Sequence, residues 1–167
     1  MLGSPVVVRE RETNSLLKVN LGCPKRCSGW TCIDKRGEPQ WDVYDWLEAM
    51  KRGRNTVAEL QTKNLLEHLP DPGRFLRLCR LVLERGGRLT LITDNAAFIP
   101  FYIPIWVRHF GVGAHSVNRY ALDHCNSVHY MVFTRMHLEN LLGVAGFSRI
   151  VVRPILLGSR LEARAIS

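Results

Sequence analysis

Short apolar runs separated by polar turns predict an α/β chain. The runs at 16–21 and 32–34 are typical of a buried strand and of the end of a second strand. A weaker alternation over residues 41–44 predicts a third strand, and residues 56–60 predict a fourth. A helix is also compatible with residues 46–53. The first third of the chain therefore contributes mainly strands.

The clearest helical pattern follows at Pro72, which suits the first turn of a helix. Apolar residues recur there at positions i, i+3, i+4 and i+7, namely Phe75, Leu78, Cys79 and Val82. Gly86 and Gly87 are predicted to end this helix, and residues 88–93 to form a buried strand after it. A helix that leads into a strand in this way indicates a parallel α/β unit.

The rest of the chain divides into an irregular segment and a regular end. Residues 94–133 are rich in aromatics and His without a sustained period, which predicts a lid or substrate-binding insert. Thr134 is a candidate N-cap for a helix that Gly146 closes. Residues 147–152 and 160–165 predict two final strands that pair antiparallel.

These elements predict one domain over residues 1–167, preceded by an N-terminal arm at 1–15. Its fold class is a Rossmann-like, doubly wound, mostly parallel sheet with an antiparallel C-terminal strand. Ligands of such sheets bind beyond the carboxyl ends of the strands.

Charge adds a clue about partners. The chain has 23 Lys and Arg against 15 Asp and Glu, a net charge of +8. Such a balance favours polyanions. The arginines are scattered, which indicates at most nonspecific nucleic-acid contact through a basic surface, or simply a solvated basic surface.

No signal peptide is visible, and the most apolar stretch, residues 96–107, is too short to span a bilayer. We therefore expect a cytoplasmic protein without a membrane span. The pattern carries no information on oligomeric state.

Three of the five cysteines are close in sequence, at spacings C-x3-C-x4-C: Cys23, Cys27 and Cys32. These spacings match no standard metal or cluster motif, and the insert's His and Cys residues match none either. The sequence therefore predicts no metal. A local disulfide between Cys23 and Cys27, or buried thiols, is the favoured interpretation.

Three blocks together resemble the small class I S-adenosylmethionine-dependent methyltransferases with a shortened first crossover, similar to methyltransferase type 11. "LKVNLGC" with "SGWTCID" resembles their first loop and second strand. "NLLEHLPDPGRFLRLCRLVLERGGRLTLITDN" resembles their Leu-Glu-His-Leu turn, helix and fifth strand. "VHYMVFTRMHLENLLGVAGFSRIVV" resembles their C-terminal helix and sixth strand.

The resemblance implies S-adenosylmethionine as cofactor and assigns roles to residues at the strand ends. Gly22 lacks a Cβ, which allows close approach of the backbone to a ligand. Asp34 is implied to bind the ribose hydroxyls. Asp45 is implied to read the adenine, with Asp42 competing for that role. The implied cofactor-binding set is Gly22, Cys23, Asp34, Asp45, Asn64 and Leu65.

Glu67 and His68 are the catalytic candidates. They either orient the cofactor or acceptor, or serve as a charge near a helix start and a packed imidazole. The methyl acceptor stays unidentified. Its predicted contacts lie in the insert, at Tyr102, Trp106, His115, Asn118, Arg119 and His129.

Pro24 stands where such cofactor loops usually have glycine, and Arg26 replaces a second glycine. This substitution keeps two functions open. One is a methyltransferase, and the alternative is a non-catalytic descendant that serves as a basic RNA- or protein-binding adaptor. A nicotinamide-binding domain is disfavoured, because G-x-G-x-x-G is absent.

Overall fold

Six strands form one sheet in the computed structural model, which describes residues 17–23, 25, 27–35, 40–52, 57–98 and 131–167. The predicted N-terminal arm, Pro24, Arg26 and most of the predicted insert lie outside these residues.

The strands confirm the Rossmann-like fold class. They are β1 (Leu17–Leu21), β2 (Thr31–Ile33), β3 (Val57–Lys63), β4 (Leu83–Asp94), β5 (Ser148–Ile155) and β6 (Arg160–Ile166), in the order β2-β1-β3-β4-β6-β5. The first four pair in parallel, whereas β6 is antiparallel to both β4 and β5. The antiparallel end of the sheet is thus where the sequence predicts it.

Among the described residues, three helices accompany the sheet: α1 (Val43–Arg52), α2 (Pro72–Val82) and α3 (Arg135–Val144). Short 3-10 turns cover Leu66–His68 and Leu156–Gly158. Thr134 is the N-cap of α3, since its side chain accepts a hydrogen bond from the His137 amide at 3.3 Å.

The predicted third strand at 41–44 is wrong, because α1 already begins at Val43. Asp42 accepts the Tyr44 amide at 2.8 Å and so satisfies a donor at the helix start. Trp46 and Leu47 are buried three and four residues after the buried Val43. This helical stripe of core contacts outweighs the weak alternation.

The predicted end of α2 at Gly86–Gly87 is also wrong. The helix ends at Val82, and Leu83 has extended backbone angles and already belongs to β4. Leu83 is fully buried and pairs with Val57 of β3. Burial of this leucine in the sheet therefore sets the boundary three residues before the glycines.

One face of the sheet packs against the helices. Along β1 and β4 the buried residues alternate with less buried ones, because successive side chains point to opposite faces. The buried set joins side chains from α1, α2 and α3 in a single cluster that includes Val19, Leu21, Leu60, Leu89, Leu91, Leu47, Phe75, Leu76, Leu138 and Leu142.

The opposite face is polar. Glu59 of β3 forms ion pairs with Lys18 of β1 at 3.2 Å and with Arg88 of β4 at 2.6 Å, which link three neighbouring strands. Arg88, Thr90 and Arg164 line a cavity of about 380 Å³ on this face. Within the described ranges, the helices contribute their buried residues to the other face.

None of the described helices is long and apolar enough to cross a bilayer.

Candidate functional site

The carboxyl ends of the four parallel strands meet at one edge of the sheet. Gly22 follows β1, Asp34 follows β2, and Asn64 follows β3. Asn95 follows β4. Gly22, Asp34 and Asn64, three of the predicted cofactor residues, therefore lie at the edge where ligands of such sheets bind.

Gly22 connects the ends of β1 and β2. Its φ is +78°, and its amide donates a hydrogen bond to the Ile33 carbonyl at 2.7 Å. A Cβ at this position would lie 3.2 Å from the Leu65 side chain. Glycine therefore suits this position for its left-handed backbone, and any side chain here would also press on Leu65.

Asp34 is fixed at the tip of β2. The residue is 8% exposed, and its backbone pairs with Gln40. Its carbonyl accepts the Trp41 amide at 3.2 Å. These contacts hold a carboxylate at the carboxyl edge of the sheet, where the sequence predicts it.

Asp42 and Asp45, the two alternative candidates for contact with the adenine, have different surroundings. Asp42 pairs with Lys35 at 2.7 Å and accepts the Tyr44 amide. Burial opposes ionisation of Asp42, but these partners lower its pKa overall. Asp45 is exposed in the first turn of α1, where a negative charge favours the helix dipole.

Asn64 and Leu65 continue the chain after β3. Asn64 is exposed and has a φ of +51°, and its amide donates to the Ile92 carbonyl at 2.9 Å. Asparagine tolerates this left-handed conformation better than most residues. The turn then directs Leu65 towards Gly22.

Glu67 is buried and hydrogen-bonded. It is 1% exposed, and its Oε2 accepts the Thr93 hydroxyl at 2.8 Å. Burial raises the pKa of Glu67 to about 7, although the Thr93 hydrogen bond opposes this shift. His68 is half-buried beside it.

Sequence reasoning missed the polar residues of β4 and β6 at this edge. Asn95 is buried and donates to the Gly158 carbonyl at 2.7 Å, while its Oδ1 accepts the Ala97 amide at 3.0 Å. Asp94 lies 3.9 Å from Arg160. The polar Thr-Asp-Asn run at the end of an apolar strand is the signal that points to these residues.

The structure brings the three nearby cysteines together. The Sγ atoms of Cys23, Cys27 and Cys32 all lie within 4.8 Å of one another, and all three thiols are free and half-buried. Burial opposes ionisation of Cys23, but hydrogen bonds from Cys32 and Cys27 lower its pKa overall. Burial and the hydrogen bond to Cys23 raise the pKa of Cys32 to about 11.

The sequence favours either a disulfide between Cys23 and Cys27 or buried thiols. The disulfide is not formed, because these sulfurs are 3.4 Å apart and both thiols are free. The thiols hydrogen-bond instead to the Lys25 carbonyl, from Cys23 at 2.9 Å and from Cys27 at 3.6 Å.

The predicted acceptor contacts lie outside the described residues. They are Tyr102, Trp106, His115, Asn118, Arg119 and His129. The two ends of the predicted insert are described and meet: the Ala96 amide donates to the carbonyl of the buried Phe133 at 2.8 Å.

Comparison with solved structures identifies the fold. An S-adenosylmethionine-dependent methyltransferase from Mesorhizobium loti superposes with a TM-score of 0.60 at 15% identity, covering 95% of this chain and 94% of its own. An S-adenosylmethionine-dependent methyltransferase from Archaeoglobus fulgidus superposes with a TM-score of 0.59 at 12% identity, covering 90% of this chain and 86% of its own. The CurJ carbon methyltransferase gives 0.56 at 13% identity, covering 95% of this chain and 50% of its own.

The chain has a class I methyltransferase-like fold. A scan against models of protein families and a search of curated proteins find no match. At these identities the likeness establishes the architecture, and the predicted Rossmann-like class is confirmed by it.

Proposed function

We propose that the carboxyl edge of the sheet binds S-adenosylmethionine and that this domain transfers the methyl group to an acceptor. The observation that carries the proposal is the carboxylate of Asp34, held nearly buried at the tip of β2 beside the Gly22 turn. The methyltransferase-like fold supports it.

The residues at this edge fit such a ligand. Two vicinal hydroxyls can each donate a hydrogen bond to one carboxylate, and Asp34 supplies a carboxylate whose backbone is fixed by Gln40 and Trp41. Gly22 and Asn64 hold the neighbouring strand ends in left-handed turns. We assign cofactor contacts to Gly22, Cys23, Asp34, Asn64 and Leu65, and the adenine edge to Asp45.

The bound cofactor would supply an activated methyl group on its sulfonium sulfur. The protein's part is then to hold donor and acceptor in line and to exclude water. Glu67 is almost fully buried against Thr93, so we assign it a positioning role between the ends of β3 and β4. His68 is half-buried and is the candidate for contact with the acceptor.

Calorimetric titration of the full chain with S-adenosylmethionine and with its demethylated product tests the proposal. Charge-assisted hydrogen bonds contribute about 1.5–3 kcal/mol each. Asp34→Asn should therefore weaken binding about ten-fold or more, since about 1.4 kcal/mol corresponds to a factor of ten.

Glu48→Gln is the matched control, because it removes the same charge from an ion pair with Arg74 on the surface of α1. It should bind as the parent protein does. If the parent gives no heat and no thermal shift at millimolar cofactor, the proposal fails, and the alternative of a non-catalytic basic adaptor replaces it.

A further inference from the structure

The geometry points to a metal site formed by Cys23, Cys27 and Cys32, which would bind zinc or another thiophilic cation. This site goes beyond the proposed methyl transfer and stands on different observations. Only Cys23 belongs to both sets of residues.

The backbone fixes each of the three cysteines separately. Cys23 follows the Gly22 turn, whose amide is bound to Ile33. Cys32 lies within β2 and pairs with Asn20 of β1. Cys27 begins a tight turn that the Trp30 amide closes onto its carbonyl at 3.1 Å. The three sulfurs are therefore brought together by main-chain structure.

The sulfur positions are close to those that a metal ion requires. Zn–S bonds are about 2.3 Å, so two thiolates of a tetrahedral zinc site lie about 3.8 Å apart. Here Cys23 and Cys27 are 3.4 Å apart, and all three sulfurs lie within 4.8 Å of one another. Shifts of about 1 Å or less would bring them into coordination, which rotation of cysteine side chains can supply.

The donor set selects the class of metal. Three thiolates are soft ligands and favour zinc or copper(I) over magnesium or calcium, which prefer oxygen. Coordination of zinc replaces three S–H bonds with three Zn–S bonds and releases three protons, so the centre carries one net negative charge. Three protein ligands leave a fourth position for a ligand from outside the triad.

A disulfide is the competing fate of the same thiols. It would join only two sulfurs, and its length of about 2.05 Å would require Cys23 and Cys27 to approach from 3.4 Å. It would also leave the third thiol, Cys32, without a function. A metal uses all three.

Zinc titration of the reduced full chain, with the free metal followed by a chromophoric chelator, tests the site. We expect one tightly bound zinc per chain. Each single substitution Cys23→Ser, Cys27→Ser or Cys32→Ser should weaken binding at least about 100-fold, since loss even of residues that only orient ligands costs 10–100-fold.

Two cysteines provide matched controls. Cys79 is fully buried in α2, and Cys125 lies outside the described residues. Cys79→Ala and Cys125→Ser should each keep one zinc at the parent affinity. Loss of zinc in a control with retention in the triad variants would place the metal elsewhere and overturn the assignment.

A second measurement keeps the test valid if a triad variant fails to fold. In the parent protein, zinc should protect Cys23, Cys27 and Cys32 together from alkylation, as mapped by mass spectrometry. Cobalt(II) should give the sulfur-to-metal charge-transfer absorption of a thiolate site. If the reduced parent binds zinc no better than a folded triple-serine variant, or if zinc leaves the three thiols equally reactive, the site does not exist. Neither readout involves S-adenosylmethionine, so its failure is distinct from failure of the proposed function.

Discussion

Two of the three crossovers between parallel strands of this sheet, a first from β1 to β2 and a second from β3 to β4, are built in opposite ways. The crossover from β3 to β4 contains α2, whose Phe75, Leu76 and Cys79 are fully buried. The crossover from β1 to β2, residues 22–30, contains no helix among its described residues and is closed by turns. Both leave the same edge of the sheet, but within the described chain only the second buries a helix against the sheet.

The difference follows from which interactions hold each segment. A buried aromatic side chain contributes several kcal/mol, whereas a hydrogen bond such as that from Gly22 to Ile33 contributes about 0.5–1.5 kcal/mol net. The second crossover should therefore unfold only with the whole domain, and the first should open more readily. The proposed thiol site and the proposed ligand-binding turn are compatible with a segment that the core does not depend on.

Phe75→Ala tests the stronger side of this contrast. Phe75 is fully buried, and its ring packs edge-to-face on that of Tyr44 with the ring centroids 6.2 Å apart. Phe75 therefore joins α2 to α1. We expect the free energy of unfolding to fall by about 3–5 kcal/mol, measured by urea denaturation. Leu81→Ala, on the exposed side of the same helix, should cost far less, since Leu81 is 47% exposed. Equal losses in both variants would show that α2 does not anchor the core.

The pH dependence of stability tests the second crossover at Glu67. Burial raises the pKa of Glu67 to about 7 in the folded protein, against about 4.3 for an unperturbed glutamate. Between these values the folded state binds more protons than the unfolded state, so stability falls as pH rises. Between about pH 5 and about pH 8, the ionisation of Glu67 should lower the free energy of unfolding by roughly 2–3 kcal/mol.

Glu67→Gln isolates this contribution, because glutamine keeps an acceptor for Thr93 and does not ionise. Urea denaturation across the same pH range should show a flatter profile for the variant than for the parent. Parallel profiles would mean that Glu67 is already ionised in the folded protein, and that its burial does not disfavour the charge.

The second crossover is also the part that the sequence predicts best. The stripe through Phe75 and Val82 is a local pattern, and its helix is confirmed. Its end was misplaced because Leu83 is drawn into the sheet by pairing with Val57, a partner 26 residues away. Likewise, the burial of Glu67 against Thr93 depends on the meeting of two strand ends, which no local pattern contains.

In the first crossover the sequence predicts the strand ends and groups the three cysteines, but it does not predict that all three sulfurs meet. Asp34 lies at the tip of β2 as expected. The meeting of the three sulfurs was not predicted, because the C-x3-C-x4-C spacing does not reveal the turn that joins Cys27 to Trp30, directly before the strand that holds Cys32. The polar face of the sheet was missed although its signal is present: Lys18 and Asn20 alternate with the buried Val19 and Leu21.

Gly29→Ala tests the weaker side of the contrast. Gly29 has a φ of +77°, and a Cβ there would meet no atom within 4 Å, so the substitution adds backbone strain without a steric clash. That strain is about 1 kcal/mol, and local opening of the turn limits how much of it reaches the global free energy of unfolding. We expect a loss of at most about 1 kcal/mol in urea denaturation, and a smaller one for Gly29→Asn, since asparagine tolerates this conformation. Zinc affinity should fall with the same ranking, because the turn positions Cys27. A loss of stability as large as that of Phe75→Ala would place the turn in the same cooperative unit as α2, and the contrast between the two crossovers would not hold.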